Sequence, residues 1–212
     1  MMELDFQRTE LERTIAALKA DLLDKDGPRI STMRNHRFAI VPYEPTDEFK
    51  LRQHIHRLAT ELRHEGWVVL SISLHKLLLR RIRAMGEDNV QRMIEMEKML
   101  HGVSPERALN HLKDKVCRLV EGPDGIAADA IRLIDEFVDA NPDKAERAVA
   151  LIGRAGALYP FYRTSALLKH LDGKTRGVPI VLLYPGVRTG NTSLRFMGVL
   201  PPDTDYRPRI YS

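Results

Sequence analysis

The 212-residue chain is 43% hydrophobic and 29% charged, ordinary proportions for a globular protein of a length that builds one compact core. No apolar run approaches the roughly 18 to 20 residues needed to cross a bilayer, which excludes a membrane-spanning helix. The first residues lack the basic-then-apolar order of a signal peptide, so a cytoplasmic protein is expected.

Leu11, Ile15, Leu18 and Leu22, preceded by Leu4, lie on one stripe of a helix that ends before Gly27-Pro28. Residues 37–42 (RFAIVP) then read as a short buried strand, 47–65 as a helix with Leu51, Ile55, Leu58 and Leu62 on one face, and 67–72 (WVVLSI) as a second buried strand. A crossover of this length predicts a right-handed parallel βαβ unit. Residues 74–140 are helical in pattern, with breaks at Gly86, at Gly102-Val103 and at Gly122-Pro123-Asp124-Gly125. Ser104-Pro105-Glu106 supplies a cap and a first-turn proline. After Asn141-Pro142 strand character returns at 148–152 (AVALI), followed by a helix over 161–171, a strand over 179–184 (PIVLLY), a Gly-Asn turn and a last strand over 193–198. The expected architecture is a single α/β domain over 1–212, with an N-terminal helix (1–26), a βαβ start (37–73), a helical insertion (74–140) and C-terminal strands and helix (146–212). Its sheet is mainly parallel, of about five strands flanked by helices.

Four strands are followed by marked turns: Pro42-Tyr43-Glu44-Pro45, Ser73-Leu74-His75, Gly153-Arg154-Ala155-Gly156 and Tyr184-Pro185-Gly186. Ligands of open parallel sheets collect outside the carboxyl ends of the strands, so any site belongs there. The same residues equally serve as plain strand punctuation. No phosphate-binding loop follows the first strand; Glu44, Asp47 and Glu48 stand there instead and complement the dipole of the next helix. Gly173-Lys174-Thr175 ends like a Walker A motif, but Leu168 occupies the place of its first glycine, and Gly153 to Gly156 lacks the third glycine of a dinucleotide fingerprint. His54 and His56, two apart on a helix, point to different faces and cannot share a metal. Cys117 is alone, which rules out an intramolecular disulfide and a thiolate cluster. No catalytic residue, metal or cofactor is therefore assigned.

Two clusters invite binding. Tyr159-Pro160-Phe161-Tyr162-Arg163 concentrates aromatic residues and an arginine before a helix, a composition favoured at protein interfaces and equally usual for a buried helix start. Arg80-Arg81-Ile82-Arg83 is the densest basic run, with Arg80 and Arg83 on one face. The net charge of +4 is uneven: from Gly173 onward Lys174, Arg176, Arg188, Arg195, Arg207 and Arg209 face only Asp203 and Asp205.

Four pieces together resemble the BrxB family, a component of bacteriophage exclusion (BREX) defence systems. They are Val41-Pro42-Tyr43-Glu44-Pro45-Thr46-Asp47-Glu48; Gly153 through Tyr159-Pro160-Phe161-Tyr162-Arg163 into Leu167-Leu168; Val178-Pro179 through Tyr184-Pro185-Gly186; and Leu194-Arg195-Phe196-Met197-Gly198 with Tyr206-Arg207 and Ile210-Tyr211. Glu44, standing between Tyr43 and Pro45, departs from the family's tyrosine-proline turn. The resemblance implies a fold reminiscent of degenerate P-loop or Rossmann-like domains without a phosphate-binding loop. It also implies a non-enzymatic part in a system that modifies host DNA and blocks phage replication. The implied partner is PglZ, an alkaline-phosphatase-like protein, with a DNA methyltransferase and a large ATPase from the same gene cluster.

Three readings follow. An adaptor would dock a partner through Tyr43, Glu44, Tyr159, Arg163, Tyr184, Arg195 and Arg207. A nucleic-acid-binding subunit would use Arg80, Arg81, Arg83, Arg188 and Arg209. A degenerate nucleotide-binding enzyme is the third.

Overall fold

The computed structural model describes residues 9–30, 37–189, 193–202 and 208–211. Leu4, the Gly-Asn turn at 190–191, Tyr206 and Arg207 lie outside them. The first helix, α1 (Glu10–Leu22), opens on a capping box: Thr9 Oγ1 accepts from the Glu12 backbone N–H at 3.3 Å, and Glu12 Oε2 accepts from the Thr9 N–H at 2.9 Å. Its apolar stripe buries Ile15, Leu18 and Leu22.

The strands β1 (Phe38–Tyr43), β2 (Val68–Ser73), β3 (Ala148–Gly153), β4 (Ile180–Thr189), β5 (Ser193–Phe196) and β6 (Arg209–Ile210) form one sheet in the order β2-β3-β4-β1-β6, parallel throughout, with β5 antiparallel on β4. The mainly parallel α/β expectation holds, with six strands. β1 and β2, read as one βαβ unit, are not neighbours: β4 and β3 lie between them. The helix joining them, α2 (Glu48–His64), has 17 residues and so spans about 25 Å. That exceeds the roughly 14 Å of three strand-to-strand steps, so crossover length alone does not say how many strands are passed.

Two further boundaries differ from expectation. β4 does not stop at Tyr184 but continues to Thr189, and Pro185 and Gly186 both sit opposite Tyr43 in a bulge before β5 returns. The helix expected from 161 begins at Thr164, as α7 (Thr164–Leu171). A 3-10 turn (Ala155–Leu158) and the turn through Pro160 take up the preceding residues, and the residue before a proline disfavours helix.

The helical middle forms α3 (Leu74–Ala84), α4 (Glu87–Val103), α5 (Pro105–Val120) and α6 (Ile126–Asp139). The sheet is covered on both faces. Phe38, Ile40, Ala150, Ile152, Ile180, Leu182 and Tyr184 point toward α3, α5, α6 and α7; Ala39, Val41, Tyr43, Val149, Leu151, Val181 and Leu183 point toward α1 and α2. Burial on both sides is why these strands read as continuous apolar runs. No helix among the described residues is long and apolar enough to cross a membrane.

Candidate functional site

The parallel strands bring the ends of β1 and β3 to one edge of the sheet, with β4 between them. α2 leaves β1 toward one face, whereas the turn after β3 leads to α7 on the other. Such a divergence opens the crevice where α/β sheets bind ligands. Here it is closed from within. The Tyr43 hydroxyl donates to the Glu48 carboxylate, and Arg154 Nη1 lies 3.2 Å from Glu48 Oε1. Burial first, and then the carboxylate it serves, push the Tyr43 hydroxyl well above the usual tyrosine range. Arg154 adopts φ +63°, a left-handed conformation that non-glycine residues seldom take, at the start of the turn it caps. Over that turn lies the β4–β5 hairpin: a Cβ built on Gly156 would stand 3.3 Å from Met197 Sδ and 3.6 Å from Pro185 Cγ.

Sequence reasoning did not single out Arg154 or Glu48 as partners. The available signal was topological: in a parallel sheet two strand-to-helix junctions share an edge, so an arginine after one and a glutamate after the other meet across 106 positions. Of the three carboxylates read as dipole complements, only Glu48 turns inward. Asp47 pairs with Lys50 at 2.8 Å, and Glu44 is exposed.

Beside this closed crevice the aromatic segment forms an open rim. Tyr159, Phe161 and Arg163, with Cys117 of α5, Glu121 just beyond its end and His170 of α7, surround a cavity of about 520 Å³. Tyr159 packs against Phe196, with ring centroids 6.4 Å apart, and Phe196 meets the Tyr184 ring edge-on at 5.5 Å. Tyr184 itself is 0% exposed, so it supports the rim from beneath and offers a partner no surface. Tyr162 is buried behind it, its hydroxyl without a hydrogen-bond partner among the described residues and pushed up to about 12, by burial first and by the Glu121 charge second. Cys117 Sγ donates to the Phe161 carbonyl at 3.0 Å. Arg163 is exposed and pairs with no described residue, and Arg195 is exposed on β5. Tyr43 is buried at the crevice, so among the expected contact residues Glu44, Tyr159, Arg163 and Arg195 reach the surface; Arg207 lies outside the described residues.

The expected nucleic-acid residues divide differently. Arg81 faces inward: it donates to Asp129 Oδ2 at 2.6 Å and to the carbonyls of Leu119, Asp124 and Gly125 at 2.9, 2.7 and 2.5 Å. Arg209 holds Asp21 at 2.7 Å and the Arg29 carbonyl at 2.8 Å, with its guanidinium over the Tyr211 ring. Both tie elements of the fold together, leaving Arg80 and Arg83 exposed on one side of α3 and Arg188 exposed apart from them on β4. Among the described residues no group of three His, Cys, Asp or Glu side chains is placed to hold a metal.

Compared with known proteins, residues 70–210 match the family model described as BREX protein BrxB. The chain belongs to the BrxB family. It is also 24% identical over 171 residues to the BREX protein BrxB of Bacillus cereus (strain H3081.97), a match that covers 80% of each chain. No solved structure matches. Membership makes this BrxB-family chain a component of a BREX phage-defence system. The span matched to the family model holds Arg154, the whole Tyr159–Arg163 rim and Arg195, whereas Tyr43 and Glu48 precede it.

Proposed function

We propose that this BrxB-family chain acts within BREX as an adaptor without chemistry of its own, docking a partner protein on the carboxyl-edge rim. The contact residues are Tyr159 and Arg163, flanked by Phe161, Glu44 and Arg195. The partner is PglZ, with the methyltransferase and the large ATPase reached through the assembly. One observation carries the reading: a half-buried aromatic pair and an arginine without an ion-pair partner among the described residues border a cavity of about 520 Å³. Tyrosine and arginine on such a surface are the residue types that dominate interface energetics. The crevice that would hold a substrate in a related architecture is occupied by Tyr43, Glu48 and Arg154, which favours docking over turnover.

The test is capture of the untagged chain by tagged PglZ. Arg163→Glu and Tyr159→Ala each alter an accessible side chain, and loss of a hot spot worth about 2 kcal/mol weakens binding roughly thirtyfold. Melting curves of both variants report folding separately. Undiminished capture by both folded variants overturns the rim as the docking surface, and failure of the unaltered chain to be captured overturns PglZ as the partner.

A further inference from the structure

The helix α4 buries none of its residues. Met93 and Leu100 are half-buried on the side that packs against α5, while Met96, Met99 and Val103 on the outer side are 41%, 58% and 72% exposed. Spacings of three and four put these three on one stripe. A soluble chain seldom leaves a contiguous apolar stripe bare unless something covers it.

The charges beside the stripe say what fits. On the outer face of α4, Asp88, Arg92, Glu95 and Lys98 are exposed and alternate in sign, with Glu87 beside Asp88 in the acidic first turn and Glu97 turned to the half-buried side. None forms an ion pair with a described residue. Arg92 Nη2 instead reaches Asn89 Oδ1 at 2.9 Å, and Glu95 Oε1 accepts from Gln91 Nε2 at 2.8 Å, both within the same helix. A row that reads minus, plus, minus, plus becomes its own complement when reversed. An antiparallel copy related by a two-fold axis beside positions 93 and 94 sets Arg92 opposite the other copy's Glu95, and Asp88 opposite the other copy's Lys98, each contact occurring twice. In that register Met99 and Val103 run along the first turn of the opposing α4 and the end of its α3, near Ala84 and Met85.

We propose that a second copy of this chain covers α4, the two helices crossing antiparallel in a closed two-fold dimer. Such an interface is isologous, so a patch must match itself, and alternating charge satisfies that requirement directly. A 17-residue helix offers about 25 Å of contact, which places the interface at the small end of specific ones, and the dimer dissociates on dilution. The face is distinct from the Tyr159–Arg163 rim and does not depend on the docking reading.

Sedimentation equilibrium of the full chain between about 1 μM and about 1 mM tests it. The expected result is a monomer–dimer equilibrium that Met99→Glu abolishes and that Arg92→Glu weakens about tenfold, since one reversal breaks two symmetric pairs. Arg92→Glu combined with Glu95→Arg recreates both pairs with opposite polarity and is expected to recover the affinity. Arg163→Glu leaves the equilibrium unchanged. A chain that stays monomeric over the whole range overturns the proposal, and so does a double reversal that dimerises no better than the single one. Circular dichroism of each variant excludes unfolding as the cause, because every altered side chain is exposed.

Discussion

Replacing Arg81 by alanine separates a structural arginine from a nucleic-acid ligand. Its guanidinium ties α3 to Asp129 of α6, to the Leu119 carbonyl in the last turn of α5 and to two carbonyls of the α5–α6 connection, and the two side chains of the ion pair are only 22% and 16% exposed. Hydrogen bonds to a charged group contribute about 1.5 to 3 kcal/mol each and do not add independently. Asp129 keeps Arg132 Nη2 at 3.7 Å and gains water, so the net loss falls below that of stranding a fully buried charge: about 2 to 4 kcal/mol. Urea unfolding followed by far-ultraviolet circular dichroism measures it as a lower midpoint at constant slope. Arg80→Ala and Arg83→Ala, on exposed side chains, stay within about 0.5 kcal/mol. Arg81→Lys recovers less than half of the loss, because an ammonium cannot span a carboxylate and three carbonyls as a guanidinium does. If Arg81→Ala proves as stable as Arg80→Ala, or if lysine restores stability fully, the assignment of Arg81 to the fold is wrong.

Three further outcomes follow from the geometry. The hydroxyls of Tyr43, Tyr162 and Tyr211 all titrate above the ordinary tyrosine value, chiefly through burial, so the fold holds their protons more tightly than the unfolded chain does. Stability is therefore complete below pH about 10 and falls above it by up to about 1.4 kcal/mol per pH unit for each tyrosine. Tyr43→Phe flattens that slope in urea midpoints taken from neutral to alkaline pH, and an unchanged slope would contradict its burial. A Cβ on Gly186 would lie 2.2 Å from the Arg195 carbonyl oxygen, backbone that cannot yield without breaking the β4–β5 pairing. Gly186→Ala is thus expected to cost more than about 2 kcal/mol, whereas Gly102→Ala, with nothing within 4 Å and near the end of a helix, is neutral or stabilises by up to about 1 kcal/mol, as thermal melts of the two would show. Burial raises the Cys117 thiol above its ordinary range, so modification by a thiol-selective reagent at pH about 8 is slow in the native chain and accelerates on unfolding; equal rates would refute the shielding.

Local pattern carried much of the fold. The stripe of Ile15, Leu18 and Leu22, the apolar runs of β1 to β4 and the breaks at Gly86 and Gly122 to Gly125 each express a period or an interruption in one short segment, and each became the element expected. The Ser104-Pro105 helix start was equally legible, Ser104 Oγ accepting from the Arg107 N–H at 3.4 Å. Membership of the BrxB family rested on residues strung in order along the chain, which a linear reading can see.

Tertiary structure decided everything that depends on which distant segments meet. An apolar strand carries no mark of its neighbour, so the sequence could not reveal that β3 and β4 separate β1 from β2. Nor does an arginine declare its direction: Arg81 and Arg83 look alike in sequence, yet helical phase turns one toward Asp129 and the other toward solvent. Tyr43 and Tyr184 read as one motif twice, but one closes the crevice with Glu48 and Arg154 while the other lies under Phe196. The sequence by itself determined the elements and the family, because these reside in local periodicity and residue order. The open rim, the closed crevice and the bare face of α4 came only from packing, because exposure is a property of what lies alongside.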